Sequence, residues 1–143
     1  MKDFMNSITP KRVISPVSAS DDTALVGQII DKRGFNSLTY IIALGSIGDA
    51  NATFTVLLEE SDDSGMSGSN AVVDADLLGT EVLAGFQYDS DNACRKLGYI
   101  GAKRYTRLTI TPSGNSGTPS AALLGAVAIL GHPMIAPTAN PPV

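Results

Sequence analysis

Several short stretches of the chain alternate apolar with polar residues, the period of a strand with one buried face, and no long stretch keeps the helical period. Residues 52–59 are the clearest: Phe54, Val56 and Leu58 fall on one face, Thr53 and Thr55 on the other. Residues 105–111 repeat the pattern, with Thr106, Leu108 and Ile110 opposite Arg107 and Thr109. Residues 24–31 and 37–44 also have strand composition, and Lys32-Arg33-Gly34 between them offers a glycine for the positive φ of a turn. Residues 121–130 form a largely apolar run framed by Gly131 and Pro133, which suits a central strand buried on both faces; a helix is the alternative. Residues 85–89 and 94–100 predict the arms of a hairpin across 89–92. Residues 72–83 fit either a helical turn or short strands.

Loops rich in Gly, Ser, Asp and Pro punctuate these stretches at 45–51, 61–70 and 112–120. About eight short strands at such intervals predict an all-β fold, a β-sandwich and most economically a jelly roll, over residues 24–134. Residues 1–23 have no sustained period. Their Pro10, Pro16 and scattered apolar side chains predict an extended N-terminal arm that anchors either on a partner or on the chain's own body. Residues 135–143, with three prolines, predict an irregular C-terminal tail.

The length of 143 residues suits one domain with a core that needs no metal or staple. Cys94 is the single cysteine, which excludes an internal disulfide and a multi-cysteine zinc site. The first residues lack the apolar run of a signal peptide, and no apolar stretch reaches the ~18–20 residues that span a bilayer. The chain is therefore expected to be soluble and unsecreted, without a membrane partner. A net charge of −4 argues against a nucleic-acid partner. Its distribution is uneven. Residues 59–91 hold nine acidic side chains and no Lys or Arg, whereas Arg95, Lys96, Lys103, Arg104 and Arg107 crowd into a short span. These are either two solvated faces or an acidic edge that meets the basic edge of a neighbouring subunit.

Candidate chemistry fails residue by residue. Gly114-Asn115-Ser116-Gly117-Thr118-Pro119 echoes the nucleophile segment of chymotrypsin-like proteases, but the single histidine, His132, follows that serine instead of preceding it. One histidine cannot build a His-rich metal site. Cys94 lies beside Arg95 and Lys96, yet strand alternation puts neighbouring side chains on opposite faces. The carboxylate pairs at Glu59-Glu60, Asp62-Asp63, Asp74/Asp76 and Asp89/Asp91 sit in or beside loops without Trp to stack a sugar. The Asp62-Asp63-Ser64-Gly65 loop lacks EF-hand spacing. No Walker A segment or dinucleotide fingerprint is present. Tyr99 and Tyr105 among basic residues can stack bases, but exposed strand positions explain them more simply. The expectation is a protein that is not an enzyme, with no catalytic residue, metal, cofactor or small-molecule substrate.

The order of these segments resembles the small cement, or decoration, proteins of tailed bacteriophage capsids. The resemblance lies in Val26-Gly-Gln-Ile-Ile-Asp31 with Gly34-Phe35, Ala52-Thr-Phe-Thr-Val-Leu-Leu58 and Leu77-Leu-Gly-Thr-Glu81. It continues in Arg95-Lys-Leu-Gly-Tyr-Ile-Gly-Ala-Lys-Arg-Tyr105 and Ala126-Val-Ala-Ile-Leu-Gly-His-Pro133. It implies a jelly roll, a homodimer and attachment to the major capsid protein on the outer surface of an HK97-like shell, after assembly in the host cytoplasm. A phage neck or tail component, or a receptor-binding sandwich, is the alternative. No family motif assigns contact residues. The arm and the basic residues themselves suggest Phe4, Met5, Ile8, Lys11, Arg12, Arg95, Lys96, Lys103, Arg104 and Arg107 as contacts with the capsid or a neighbouring subunit.

Overall fold

A computed structural model describes residues 2–117 and 121–143. Its strands are β1 (Ile8–Ala19), β2 (Leu25–Asp31), β3 (Phe35–Ile47), β4 (Thr53–Ser61), β5 (Asn70–Ala71) and β6 (Leu77–Leu78). A single helical turn, α1 (Glu81–Ala84), precedes β7 (Phe86–Gln87), β8 (Cys94–Tyr99), β9 (Tyr105–Ser113) and β10 (Ala122–Pro133). Short 3-10 turns occupy Met5–Ser7 and Asp74–Asp76. Of the earlier loop expectation at 112–120, Pro112 and Ser113 close β9, and residues 118–120 lie outside the described residues.

Two antiparallel sheets pack against each other. The first has the order β1-β10-β3-β8-β6; the second has β2-β9-β4-β5, with β7 also on β4. The pairing is nested: β1 with β10, β2 with β9, β3 with β8, and β4 with β7. Successive long strands alternate between the sheets. That is the pairing of a jelly roll, the sandwich that the strand spacing predicts. Among the described residues ten strands form where about eight were expected, the excess being two-residue ladders such as β5, β6 and β7.

The inward residues are those that the alternation named. Phe54, Val56 and Leu58 of β4 meet Leu108 and Ile110 of β9 in the core, with Leu38, Tyr40 and Ile42 of β3 facing them. The Tyr40 hydroxyl is 2.6 Å from Thr106 Oγ1, so the hydroxyls of two fully buried residues satisfy each other. Gly27 lets β2 approach closely, because a Cβ there would stand 2.5 Å from the Leu108 carbonyl oxygen and 2.7 Å from Val13 Cγ1. Pro112 is tolerated in a central strand for a geometric reason. The Leu58 backbone bonds away from β9, so Phe54, which shares that phase, sets no carbonyl toward the proline.

Two expectations are corrected. The sandwich starts at Ile8 instead of residue 24: residues 8–19 of the extended arm lie on the chain's own body as edge strand β1, which pairs along β10 and buries Val13, Ile14 and Ala19. Register shifts between Arg12 and Ile14 and again between Ile14 and Val17 break its period of two, and an edge position accepts Pro10 and Pro16. Residues 85–89 and 94–100 do not form a hairpin, because β7 joins β4 in the second sheet while β8 joins β3 in the first. The turn between them carries the chain from one sheet to the other, with Asn92 at φ 58°.

Candidate functional site

The outward side of the first sheet is the least ordinary surface of the molecule. In a sandwich the outer positions of a strand are normally polar. Here one cross-strand row reads Arg12–Val127–Ile41–Lys96, with a cation at each margin and branched apolar residues between. The next reads Pro10–Ile129–Thr39–Gly98–Leu78, and a third Gly125–Ala43–Cys94. Val127 is 39% exposed, Leu123 46% and Leu78 58%. Beside Leu78, the N-cap Thr80 accepts from Leu83 N and fixes a turn that holds Val82 and Leu83 out, at 87% and 70% exposure. Leu78 and Leu83 share a cleft with Thr39, Cys94, Lys96 and Gly98, so the turn and the sheet face are one continuous surface. The run 121–130, whose composition suits burial on both faces, is thus covered on one face only.

The two ends of the chain meet at one corner. Thr138 donates through its N to Asn6 O at 2.9 Å and through its hydroxyl to Ile8 O at 2.7 Å. Phe4 and Met5 on one segment, and Met134 and Ile135 on the other, are exposed there. Ile8 is half-buried and begins β1 opposite Gly131.

The basic residues divide differently from the sequence expectation. Lys103 pairs with Asp62, Arg104 with Asp31 (Nη2–Oδ2 2.7 Å) and Arg107 with Glu59 (Nη2–Oε2 2.9 Å). The basic stretch is therefore largely matched within the chain, Lys103 and Arg107 by carboxylates of the acidic stretch itself. The Arg104 guanidinium holds the Asp31 carboxyl below its usual range. Arg95 is a structural donor, with Nε to Gly85 O at 3.3 Å and Nη2 to Ser90 Oγ at 3.2 Å. Lys96 stands exposed on the outer sheet face. Lys11 and Arg12 line a cleft of about 440 Å³ between the edge strands β1 and β2, together with Gln28, Asp31 and Arg33.

Among the described residues the serine, histidine, cysteine and carboxylate positions assemble no catalytic constellation. Ser37 Oγ and His132 Nδ1 are 2.9 Å apart, a contact that the sequence reading missed. His132 has a φ of 49° and lies between the pairs Gly131–Ser37 and Pro133–Phe35, and its ring reaches Ser37 on the neighbouring strand β3. No carboxylate orients that ring among the described residues, and neither residue lines the cleft beside β4 or the one between β1 and β2. Asn115 is buried and donates to Ala19 O and Asp21 O, so the protease-like segment is a packed loop; its Thr118 and Pro119 lie outside the described residues. Cys94 is exposed beside Ala43. Asp63 Oδ1 accepts from Gly65 N and Ser67 N, closing its own loop. Among the described residues no group of three or more His, Cys, Asp or Glu side chains could hold a metal ion. No described helix is long and apolar enough to cross a membrane.

The fold and this surface define an all-β jelly-roll sandwich with an uncovered apolar sheet face. No family model matches the chain, and no curated protein matches it in sequence. Among solved structures it is similar to a chain of infectious bursal disease virus, Gx strain, at 11% identity and a TM-score of 0.49 over 91% of this chain and 35% of that one. It is also similar to the CBM22-1–GH10 modules of Clostridium thermocellum xylanase 10B, at 14% identity and TM-score 0.44, over 95% of this chain and 28% of that one. The C-terminal family 22 carbohydrate-binding module of the same xylanase gives 11% identity and TM-score 0.39, over 94% of this chain and 92% of the module. The chain thus spans about a third or less of the first two. With identities near a tenth and TM-scores below 0.5, these likenesses assign no function.

Proposed function

We propose that the protein is a structural, non-enzymatic virion component that decorates and cements the outer surface of an HK97-like bacteriophage capsid. The observation that carries this reading is the apolar outer face of the first sheet. An isolated domain gains nothing from holding Val127, Leu123, Leu78 and Leu83 in water, and a continuous apolar patch marks a surface that docks. A broad, shallow sheet suits a broad, shallow shell better than it suits a small ligand. The sequence resemblance to capsid cement proteins supplies the identity of that shell, the major capsid protein, and the homodimeric state.

The charges at the margins favour the shell over a second copy as the occupant of this face. If two copies stack with strands aligned, a two-fold axis along the strands sets Arg12 against Lys96, and one across them sets Arg12 against Arg12. Like charges so placed oppose pairing. A shell surface with carboxylates around an apolar patch satisfies both margins.

The test is co-sedimentation of the purified protein with expanded heads that lack it. Saturable pelleting with heads, weakened by Val127→Asp, is the expected result. Protein that stays in the supernatant, or that is found at a portal or tail instead, overturns the reading in favour of a neck or tail role. Sedimentation equilibrium of the free protein checks the dimer.

A further inference from the structure

Three of the cations that no carboxylate side chain pairs among the described residues share one cleft. Lys103, Arg104 and Arg107 are paired with carboxylates. Lys32 donates to Gly101 O and lies over the Tyr99 ring, 4.8 Å from its centroid, while Arg95 is held by backbone and Ser90. Of the cations left, Lys11, Arg12 and Arg33 all line the cleft between β1 and β2. None of the three pairs with a carboxylate side chain among the described residues. Arg12 Nη1 donates to Ser15 Oγ at 3.0 Å, and Lys11 Nζ donates to Val143 O. The cleft's own acid, Asp31, is held by Arg104 through both carboxylate oxygens, at 2.9 and 2.7 Å, so it has little left to offer the other three.

The walls of this cleft are also unusual. β1 and β2 are the outermost strands of their respective sheets, so the cleft runs along the open side of the sandwich. Edge strands present unpaired backbone groups, which an extended segment can meet while its side chains meet the cations. From these two observations we propose that the β1–β2 cleft binds an extended, carboxylate-rich peptide segment of the partner protein. The walls favour a peptide over a nucleic acid, because an extended peptide can pair with the edge-strand N–H and C=O groups of β1 and β2 as an added strand, which a sugar-phosphate backbone cannot do. The inference rests on the proposed capsid role only for the identity of the partner. The chemistry of the segment follows from the cleft alone. Arg12 joins the cleft to the apolar face, because it ends the Val127–Ile41 row, so one docked partner can engage both.

The experiment titrates the isotope-labelled full chain with a synthetic glutamate-rich peptide, and in parallel with inorganic phosphate and a single-stranded oligonucleotide. Amide shifts concentrated at Lys11, Gln28 and Arg33 with the peptide are expected, fading as salt rises. Arg12→Glu combined with Arg33→Glu should weaken peptide binding roughly tenfold at low salt. Lys2→Glu, an exposed cation outside the cleft, should leave it unchanged. Unaltered far-ultraviolet dichroism and melting temperature show that the variants fold, and Arg12→Gln with Arg33→Gln gives a milder pair should the reversals fail to fold. Peptide shifts scattered elsewhere, equal binding by the variants, or tighter binding of the oligonucleotide than of the peptide would each overturn the inference. Head attachment is scored separately. If wild-type protein binds heads and the double variant binds them equally well, the inference fails and the capsid role stands. If wild-type protein ignores heads but binds the peptide through the cleft, the capsid role fails and the cleft's chemistry stands.

Discussion

At the scale of single residues, the buried polar contacts set the sharpest expectations. Tyr40→Phe removes the partner of the Thr106 hydroxyl and leaves it buried without a hydrogen bond, which should cost about 1–3 kcal/mol in denaturant unfolding. Burial raises the Tyr40 pKa above its ordinary value of 10.0, and burial followed by the Glu60 carboxylate does the same for Tyr99. Below pH 10.0 folded and unfolded chains both keep these protons, so neither group makes stability depend on pH. Above it the unfolded chain releases protons that the folded one retains, so stability must fall as pH rises. Phenolate absorbance, compared with that of Tyr40→Phe and Tyr99→Phe variants, should therefore show Tyr40 and Tyr99 ionising only with unfolding; either one ionising near pH 10.0 in folded protein would contradict this. Arg107→Ala breaks a half-buried pair with Glu59 and should cost ~1 kcal/mol in the same unfolding assay. Because that arginine is engaged inside the chain, its loss should alter stability more than head attachment.

At the scale of elements, β1 separates what the sequence discloses from what it hides. The strict alternation of β4 and β9 made their inner and outer faces legible, since Phe54, Val56, Leu58, Leu108 and Ile110 all lie in the core. β1 escaped because its two bulges displace Val13, Ile14 and Val17 from any single period, and its prolines suit an arm as well as an edge strand. The predicted hairpin at 85–100 failed for another reason: two neighbouring apolar stretches carry no mark saying whether they pair together or join different sheets. The ion pairs were hidden too, because Asp31 and Arg104 lie far apart in the chain and meet only through the β2–β9 register. The outer face of the first sheet was half legible. Its apolar run was evident, but whether a neighbour covers it is not written in the run. These points yield a prediction on truncation. Removing residues 2–7 should keep the melting temperature within a few degrees, since no residue of the Met5–Ser7 turn is buried, and should weaken head attachment through the loss of Phe4 and Met5. Removing residues 2–19 strips β10 of an edge partner along its length and should abolish cooperative unfolding.

At the scale of the whole molecule, the nested pairing makes the two ends of the chain neighbours and leaves two open surfaces: the apolar outer sheet face and the basic cleft between the edge strands. Arg12 belongs to both, which places a shape-matched contact and a charge-matched contact side by side on one margin. In this account apolar burial supplies most of the hold on the shell and the cations orient the docking, so Val127→Asp should reduce occupancy at every salt concentration. The cleft variants should instead lose their defect as salt rises and wild-type attachment itself weakens. The most direct test is an image reconstruction of expanded heads saturated with the purified protein. Regular density on the outside of the shell is expected, with the β1–β10–β3–β8 face turned toward the capsid protein. Bare heads, density confined to a portal or tail, or a bound molecule that turns that face to solvent would contradict it.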